Sequence, residues 1–316
     1  MEISALHKLF LQTKSVSTDS RKIGSNSIYF ALSGERFNGN DFAIDALNNG
    51  ALYAVVDSIK HKDHPGCIYV ADALKALQAL GTYHRNFCKA KVISLTGSNG
   101  KTTTKELIYK VLSQKYNTSA TLGNLNNHIG VPLSLLNIKE GTEFAVIEMG
   151  ANHQKEIEFL CALAQPDFGC ITNFGKAHLE GFINFEGVLK TKSELYDHVQ
   201  AQNGVLFVNA DDPILTEAAQ KRNIKYLTYG EKHGELRGVL EFLDPYVHLS
   251  WRYENYSSPH IDTQMVGKYN FYNFLAALRI GMYFEIEPEL LNQAIAAYLP
   301  TNKRSQVEKT TKNTKK

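Results

Sequence analysis

The sequence predicts an α/β protein in two parts: a small α/β unit, then a larger, mostly parallel sheet assembled around a phosphate loop. Three observations carry that prediction. From Lys89 onward short apolar runs alternate with amphipathic stretches, the pattern of a parallel sheet covered by helices. A glycine-rich turn containing Lys101 joins one such run to one such stretch. Polar residues collect at the carboxyl ends of the runs, where sheets of this kind bind ligands.

The chain has 316 residues, enough for about two domains. Residues 1–88 read as the first. Leu6, Leu9 and Phe10 mark a short helix; Ile28 to Leu32, Tyr53 to Val56 and Ile68 to Val70 are strand-like; Leu74, Leu77, Leu80 and Phe87 form a helical stripe. The polar turns Ser17-Thr18-Asp19-Ser20-Arg21 and Ser33-Gly34-Glu35-Arg36-Phe37-Asn38-Gly39 offer hydroxyls, amides and guanidinium groups suited to a uracil, a ribose and a diphosphate. Ordinary turns and helix caps use the same residues, and the loops taken alone favour that reading.

Residues 89–303 read as the second domain. Val92, Ile93 and Leu95 lead into Thr96-Gly97-Ser98-Asn99-Gly100-Lys101-Thr102-Thr103-Thr104, and Leu107, Ile108, Val111 and Leu112 follow at helical spacing. Glycines let backbone N–H groups turn toward phosphate oxygens, the helix N-terminus adds partial positive charge, Lys101 adds a full one, and Thr102 offers a hydroxyl to Mg²⁺. Only Ser98 and Asn99 separate Gly97 from Gly100, where the common phosphate loop has four residues between its glycines. A chance Gly-Lys-Thr at a helix start is the competing explanation, and it leaves the flanking strand and helix unaccounted for.

Further along, Phe144 to Ile147 lead into Glu148, Phe168 to Ile171 into Thr172-Asn173, and Val205 to Val208 into Asn209-Ala210-Asp211-Asp212. Between Gly238 and Val266 short alternating runs predict an antiparallel edge, and helices over Tyr272–Tyr283 and Pro288–Tyr298 close the unit. The pattern stops after Pro300. Residues 304–316 read as a basic tail or the stub of another domain.

Three side chains stand out for chemistry. Glu148 ends an apolar strand, where nucleotide-binding folds place a carboxylate for Mg²⁺; a solvated strand-end acid is the alternative. His178 and Lys192, each taken singly, read as a structural histidine and a solvated helix lysine. The formal charge is +2, and Lys303, Arg304, Lys309, Lys312, Lys315 and Lys316 near the end more than account for it, so nothing points to a nucleic-acid partner. Cys67, Cys88, Cys161 and Cys170 lack zinc-site spacing and fit free thiols in a reducing compartment. With no secretory signal and no apolar run long enough for a bilayer, a cytoplasmic protein is expected.

Six motifs in order carry a resemblance: Thr18-Asp19-Ser20-Arg21; Thr96 to Thr103; Gly123-Asn124-Leu125-Asn126-Asn127-His128-Ile129-Gly130-Val131-Pro132; Ile147-Glu148-Met149-Gly150-Ala151; Ala177-His178-Leu179-Glu180-Gly181-Phe182; and Asn270-Phe271-Tyr272-Asn273. Together they resemble the Mur ligases of bacterial cell-wall synthesis from about Ser17 to Ser305, most closely the member joining UDP-N-acetylmuramoyl-tripeptide to D-alanyl-D-alanine.

The resemblance implies an ATP-dependent ligase that forms an acyl phosphate on the UDP-linked peptide and then an amide bond, working as a cytoplasmic monomer. It implies that Gly97, Ser98, Asn99, Gly100, Lys101, Thr102 and Thr103 bind ATP, with Asn270 and Asn273 beside its adenine and ribose and Arg304 reaching its phosphates. Thr102 and Glu148 would hold one Mg²⁺ and His178 a second, while Lys192 would be carbamylated and would orient Mg²⁺. Lys101, His178 and Lys192 would then be the catalytic set. Ser17, Thr18, Asp19, Ser20 and Arg21 would hold the UDP substrate, whose path passes Asn126 and Asn127. Family members carry a third domain after the equivalent of Arg304. Here the expectation is a truncated chain, by a fragment boundary, a frameshift or a natural two-domain design, impaired in ligation because nothing positions the dipeptide. Competing readings are the neighbouring ligase that adds the third amino acid, a folylpolyglutamate synthetase, a non-catalytic UDP-peptide or nucleotide-binding remnant, and a plain phosphate-loop kinase or GTPase, which leaves Lys192 unexplained.

Overall fold

A computed structural model of the protein describes residues 1–175 and 184–300. Its first unit runs through α1 (Ile3–Phe10), β1 (Ser15–Ser17), β2 (Ser27–Phe30), the two-residue strands β3 (Ser33–Gly34) and β4 (Phe37–Asn38), α2 (Ala43–Asn48), β5 (Ala51–Val56), β6 (Cys67–Tyr69) and α3 (Ala73–Cys88). Strands β1-β2-β5-β6 form a parallel sheet, and β3 and β4 an antiparallel ribbon. Along β2 the side chains alternate between two cores: Ile28 and Phe30 pack with Leu77 and Leu80, and Tyr29 with Ala43 and Ala46.

The second unit contains β7 (Lys91–Thr96), α4 (Lys101–Leu112), β8 (Thr118–Ala120), α5 (Gly130–Leu136), β9 (Phe144–Glu148), α6 (Glu156–Ala164), β10 (Phe168–Ile171), α7 (Phe185–Ala201), β11 (Val205–Asn209), α8 (Pro213–Gln220) and β12 (Lys225–Gly230). After them come β13 (Leu236–Leu243), β14 (Tyr246–Tyr253), β15 (Tyr256–Ser257), β16 (Ile261–Val266), α9 (Tyr269–Tyr283) and α10 (Pro288–Ala296). Its ten-stranded sheet has the order β15-β14-β13-β12-β11-β10-β7-β9-β8, with β16 also on β14. Strands β7 to β12 run parallel, and pairing turns antiparallel from β13 to β14 onward, as the alternating runs predict.

Helices cover both faces of this sheet. Ile93 and Leu95 of β7 face α4, α9 and α10 through Ile108, Phe271, Phe274 and Leu291, whereas Val92 faces α5 to α8 through Val131, Ile157 and Leu215. Burial on both faces is why the parallel strands read as unbroken apolar runs. Helix α3 joins the two units. Gly81 lets it lie close against α5, since a Cβ there would sit 3.0 Å from the Pro132 backbone. Arg85 donates to the carbonyls of Ala164 and Gln165 and to the Asp167 carboxylate, and His84 donates to the Ile138 carbonyl at 2.7 Å.

Some elements depart from expectation. Ser15 to Ser17 and Thr118 to Ala120 form short edge strands that no apolar run marks, and α9 starts at Tyr269, three residues earlier than its apolar stripe. An edge strand three residues long buries too little to show an alternating pattern. Among the described residues no helix is long and apolar enough to cross a membrane.

Candidate active site

Strand β7 delivers the chain to a loop whose backbone is set by two glycines. Gly97 has φ +150°, and a Cβ there would fall 1.9 Å from Thr172 Oγ1. Gly100 has φ +79° and caps α4; its Cβ would meet Asn273 Oδ1 at 2.9 Å. Both positions therefore exclude a side chain on conformational and steric grounds. The segment after β10 braces the loop: Asn99 N–H donates to Asn173 Oδ1, Ser98 N–H to the Asn173 carbonyl, and the Thr172 hydroxyl to the Asn99 carbonyl at 2.6 Å. Lys101 folds back over the loop, its Nζ donating to the Gly97 carbonyl at 2.7 Å and the Ser98 carbonyl at 3.3 Å. That posture holds an ammonium over the N-terminus of α4, where a phosphate chain would lie.

Glu148, at the end of the neighbouring strand β9, is 1% exposed. Its Oε1 accepts from the Thr102 hydroxyl at 3.3 Å and from Asn126 Nδ2 at 2.8 Å. Its Oε2 lies 3.9 Å from Lys105 Nζ and has no hydrogen-bond partner among the described residues. A hydroxyl and a carboxylate with an unfilled buried oxygen are a donor set suited to Mg²⁺, a hard cation that prefers oxygen ligands. The residues fit that ion, and Thr102 and Glu148 could hold it.

Lys105 is missing from the expected site, yet it is 2% exposed and also donates to the Gly123 carbonyl. A signal for it exists in the sequence. It follows Thr102 by three residues and so shares that residue's helix face, at a position that is otherwise part of the buried side of α4.

Lys192 comes from the middle of α7 and is 4% exposed. Burial, reinforced by the positive charge of Lys101, lowers its amine to about 8. Gly97, Lys101, Asn126, Asn127, Gly150 and Lys192 line one cavity of about 370 Å³. Asn127 Oδ1 accepts from the Ile129 and Gly130 N–H groups, which orients the turn entering α5. A larger cavity of about 810 Å³ lies behind α4, between Tyr109, Ser119 and Tyr298; it reaches Lys105 but not Lys101 or Lys192. The smaller cavity is the chemically equipped one, because the loop and the buried lysine both open onto it.

Other expected site residues are placed less directly. Asn273 accepts from the Thr104 hydroxyl and donates to Asn270 Oδ1, while Asn270 Nδ2 donates to the Val266 carbonyl. Asn273 thus touches the phosphate loop, and Asn270 is wholly buried behind it. Asp19 caps the turn Ser20–Lys22 and makes a two-point ion pair with the exposed Arg21, which holds its carboxyl down at about 2. The Ser17 hydroxyl donates to the Asp19 carbonyl. Ser17 to Arg21 accordingly make the local turn that the residues predict on their own, and do not line the cavity beside the loop. His178 and Arg304 lie outside the described residues.

Comparison with known proteins bears on this geometry. The Mur ligase middle-domain profile matches residues 95–281, and the profile of the Mur ligase family catalytic domain matches residues 12–84. The chain is 35% identical over 297 residues to the UDP-N-acetylmuramoyl-tripeptide--D-alanyl-D-alanine ligase of Bacillus subtilis, covering 93% of this chain and 64% of that relative. It is 43% identical over 197 residues to the ligase of the same name from Escherichia coli, covering 62% of this chain and 43% of the relative. Among solved structures it is similar to MurF from Acinetobacter baumannii, with a TM-score of 0.82 at 32% identity over 94% of this chain and 68% of that one. It is also similar to MurF ligase from Thermotoga maritima in complex with ADP, with a TM-score of 0.79 at 27% identity over 91% of this chain and 66% of that one. The chain thus spans less than two thirds of the length of these curated relatives. A profile match that takes in more than half of the residues, and whose range contains the loop and strand ends described above, makes this chain a member of the Mur ligase family.

Proposed function

We propose that the chain binds ATP over Gly97 to Thr103 and carries the phosphoryl-transfer step of an amide ligation, activating the terminal carboxylate of UDP-N-acetylmuramoyl-tripeptide for attack by D-alanyl-D-alanine. The observation that carries the reading is that Gly97 and Lys101 of the phosphate loop and the buried Lys192 line one cavity, while the Thr102–Glu148 pair is tied to its lining through the bond from Asn126 to Glu148. A plain nucleotide-binding loop does not require a buried lysine opposite it.

In this reading the carboxylate oxygen of the peptide attacks the γ-phosphorus and ADP leaves, giving an acyl phosphate; the amine of the dipeptide then adds, and phosphate is released. Mg²⁺, held by Thr102 and Glu148, would supply charge neutralisation on the phosphates. Lys101 has its ammonium placed over the loop, and the loop N–H groups and the α4 N-terminus spread the charge on the transferred group. Lys192 is proposed to react as the neutral amine with CO₂, losing a proton to become a carbamate anion. Its burial next to Lys101 favours the neutral amine that this reaction needs. Ser17 to Arg21, with Asn126 and Asn127, are proposed to hold the UDP-linked peptide, and Asn270 and Asn273 to border the nucleoside. We place the chain in the cytoplasm as a monomer, its four cysteines being free thiols.

Positional isotope exchange tests the first step by itself. ATP labelled with ¹⁸O in the β,γ-bridge is incubated with the chain, Mg²⁺ and UDP-N-acetylmuramoyl-tripeptide, without dipeptide. Scrambling that depends on the UDP-peptide supports acyl-phosphate formation; nucleotide binding with no scrambling and no ADP release overturns it.

A further inference from the structure

A second constellation of ligating side chains stands at the far end of the large sheet, on the antiparallel edge that lies beyond β12 and away from β7. In the register of β14 and β16, His248 lies opposite Asp262, and His260 just precedes β16. Asp262 Oδ1 is shared: His248 Nδ1 is 2.6 Å from it and His260 Nε2 is 2.9 Å. The other ring nitrogen of His260, Nδ1, is 2.5 Å from Glu241 Oε2. Glu241 reaches that face because the register of β13 and β14 shifts between Leu240 and Phe242, a bulge that turns two successive side chains the same way. Phe242, His248 and His260 stack, with ring planes 19° and 17° apart, so the two imidazoles are held in a fixed mutual orientation.

We infer that this cluster is a binding site for a divalent transition metal such as Zn²⁺, with His248 Nδ1, His260 Nε2 and Asp262 Oδ1 as ligands and Glu241 as the carboxylate that orients His260. The three ligand atoms lie within 4.8 Å of one another. A tetrahedral Zn²⁺ with bonds of about 2.0–2.1 Å spaces its ligands at roughly 3.3 Å. From 2.6 Å and 2.9 Å, Asp262 Oδ1 reaches that spacing from the two ring nitrogens by moving outward less than about 1 Å, and its side chain, 75% exposed, can make that movement. Imidazole nitrogens with a carboxylate suit Zn²⁺, Ni²⁺ or Cu²⁺ far better than Mg²⁺. A carboxylate on the remaining ring nitrogen of a ligating histidine is the usual arrangement around such ions, fixing tautomer and orientation. Water would complete the coordination sphere. Tying β13, β14 and β16 together, the ion would act as a staple on the antiparallel edge and take no part in the reaction at the loop.

The test is a Co²⁺ titration of the metal-stripped chain with Mg²⁺ held at a constant millimolar level, followed by the d–d absorption of the ion and by displacement with Zn²⁺. One equivalent bound with a tetrahedral spectrum is expected. His260→Gln and Asp262→Asn should each weaken binding at least tenfold, and Glu241→Gln by about 10–100-fold. ATP binding at the remote loop, measured on every variant, confirms that each remains folded. Native binding no tighter than that of the folded His260→Gln/Asp262→Asn double variant, or absence of binding, would overturn the proposal and leave the cluster as a hydrogen-bonded ring stack.

Discussion

Replacing Glu148 by glutamine keeps the shape of the side chain and removes its charge. In the folded chain Lys105 then loses its buried counter-ion, and the new amide N–H₂ is turned toward an ammonium, because Oε1 is already claimed by Thr102 and Asn126. At 3.9 Å the pair is worth about 4 kcal/mol at an effective dielectric constant of about 20, and breaking a buried pair on one side costs about 3–5 kcal/mol. The bond from Lys105 to the Gly123 carbonyl at 3.0 Å survives, which puts the expected loss at the lower end, about 3 kcal/mol. Trp251, the only tryptophan, is buried in the core of the same unit and reports its unfolding in urea by fluorescence. The double variant with Lys105→Met removes the ammonium together with the carboxylate it faces. About 2 kcal/mol should therefore return relative to the sum of the single variants. Isotope exchange should stay lost in both Glu148→Gln backgrounds, which separates the carboxylate's chemical role from its part in folding. A Glu148→Gln chain within about 0.5 kcal/mol of native, or a double variant that merely adds the single effects, would show that Lys105 and Glu148 are not coupled.

Three further outcomes are expected. Gly97→Ala should lower ATP affinity tenfold or more, through roughly 1–3 kcal/mol of backbone strain and the collision with Thr172; calorimetry showing native affinity would contradict the loop geometry. Lys192→Ala should reduce UDP-peptide-dependent isotope exchange by about 10²–10³-fold, and bicarbonate should stimulate the CO₂-depleted native chain but not the variant; an unimpaired variant would remove Lys192 from the mechanism. Acid should destabilise the junction between the units. Burial lowers the pKa of both His7 and His84, so the unfolded chain takes up protons first as pH falls below about 6.5, and stability, level above that pH, declines through the window below it. His84→Gln can still donate to the Ile138 carbonyl and should flatten that decline. Urea unfolding followed by circular dichroism at about pH 7.5 and about pH 5.5 tests this, and equal slopes for native and variant would exclude His84 as a source.

What the sequence discloses depends on how many residues each feature engages. Val92 to Leu95 and Val205 to Val208 are buried on both faces by helices, so each parallel strand leaves an apolar run and the chain of βα units can be read directly. The compressed spacing from Gly97 to Thr102 is legible for a similar reason: its glycines answer to local constraints, a positive φ at each and the close approach of Thr172 and Asn273. By contrast, Ser15 to Ser17 and Thr118 to Ala120 are short edge strands, and their polar sequences resemble the turns beside them. Lys105 was recoverable in principle from helix periodicity, but its partner Glu148 lies far along the chain on another strand, and only the pairing of β7 with β9 brings them together.

The histidine cluster makes the same point more strongly. His248, His260 and Asp262 have no recognisable ligand spacing along the chain, since their meeting depends on the register of β14 against β16, and Glu241 joins them only because β13 bulges there. A one-residue slip in either pairing would turn these side chains to the other face of the sheet and dissolve the site. Chemistry written into a single loop or helix therefore survives in the sequence as spacing. Chemistry assembled across strands is carried by the hydrophobic pattern that sets the register, here Val247, Leu249 and Trp251 on β14 and Ile261, Thr263 and Met265 on β16, all buried on the face opposite the cluster.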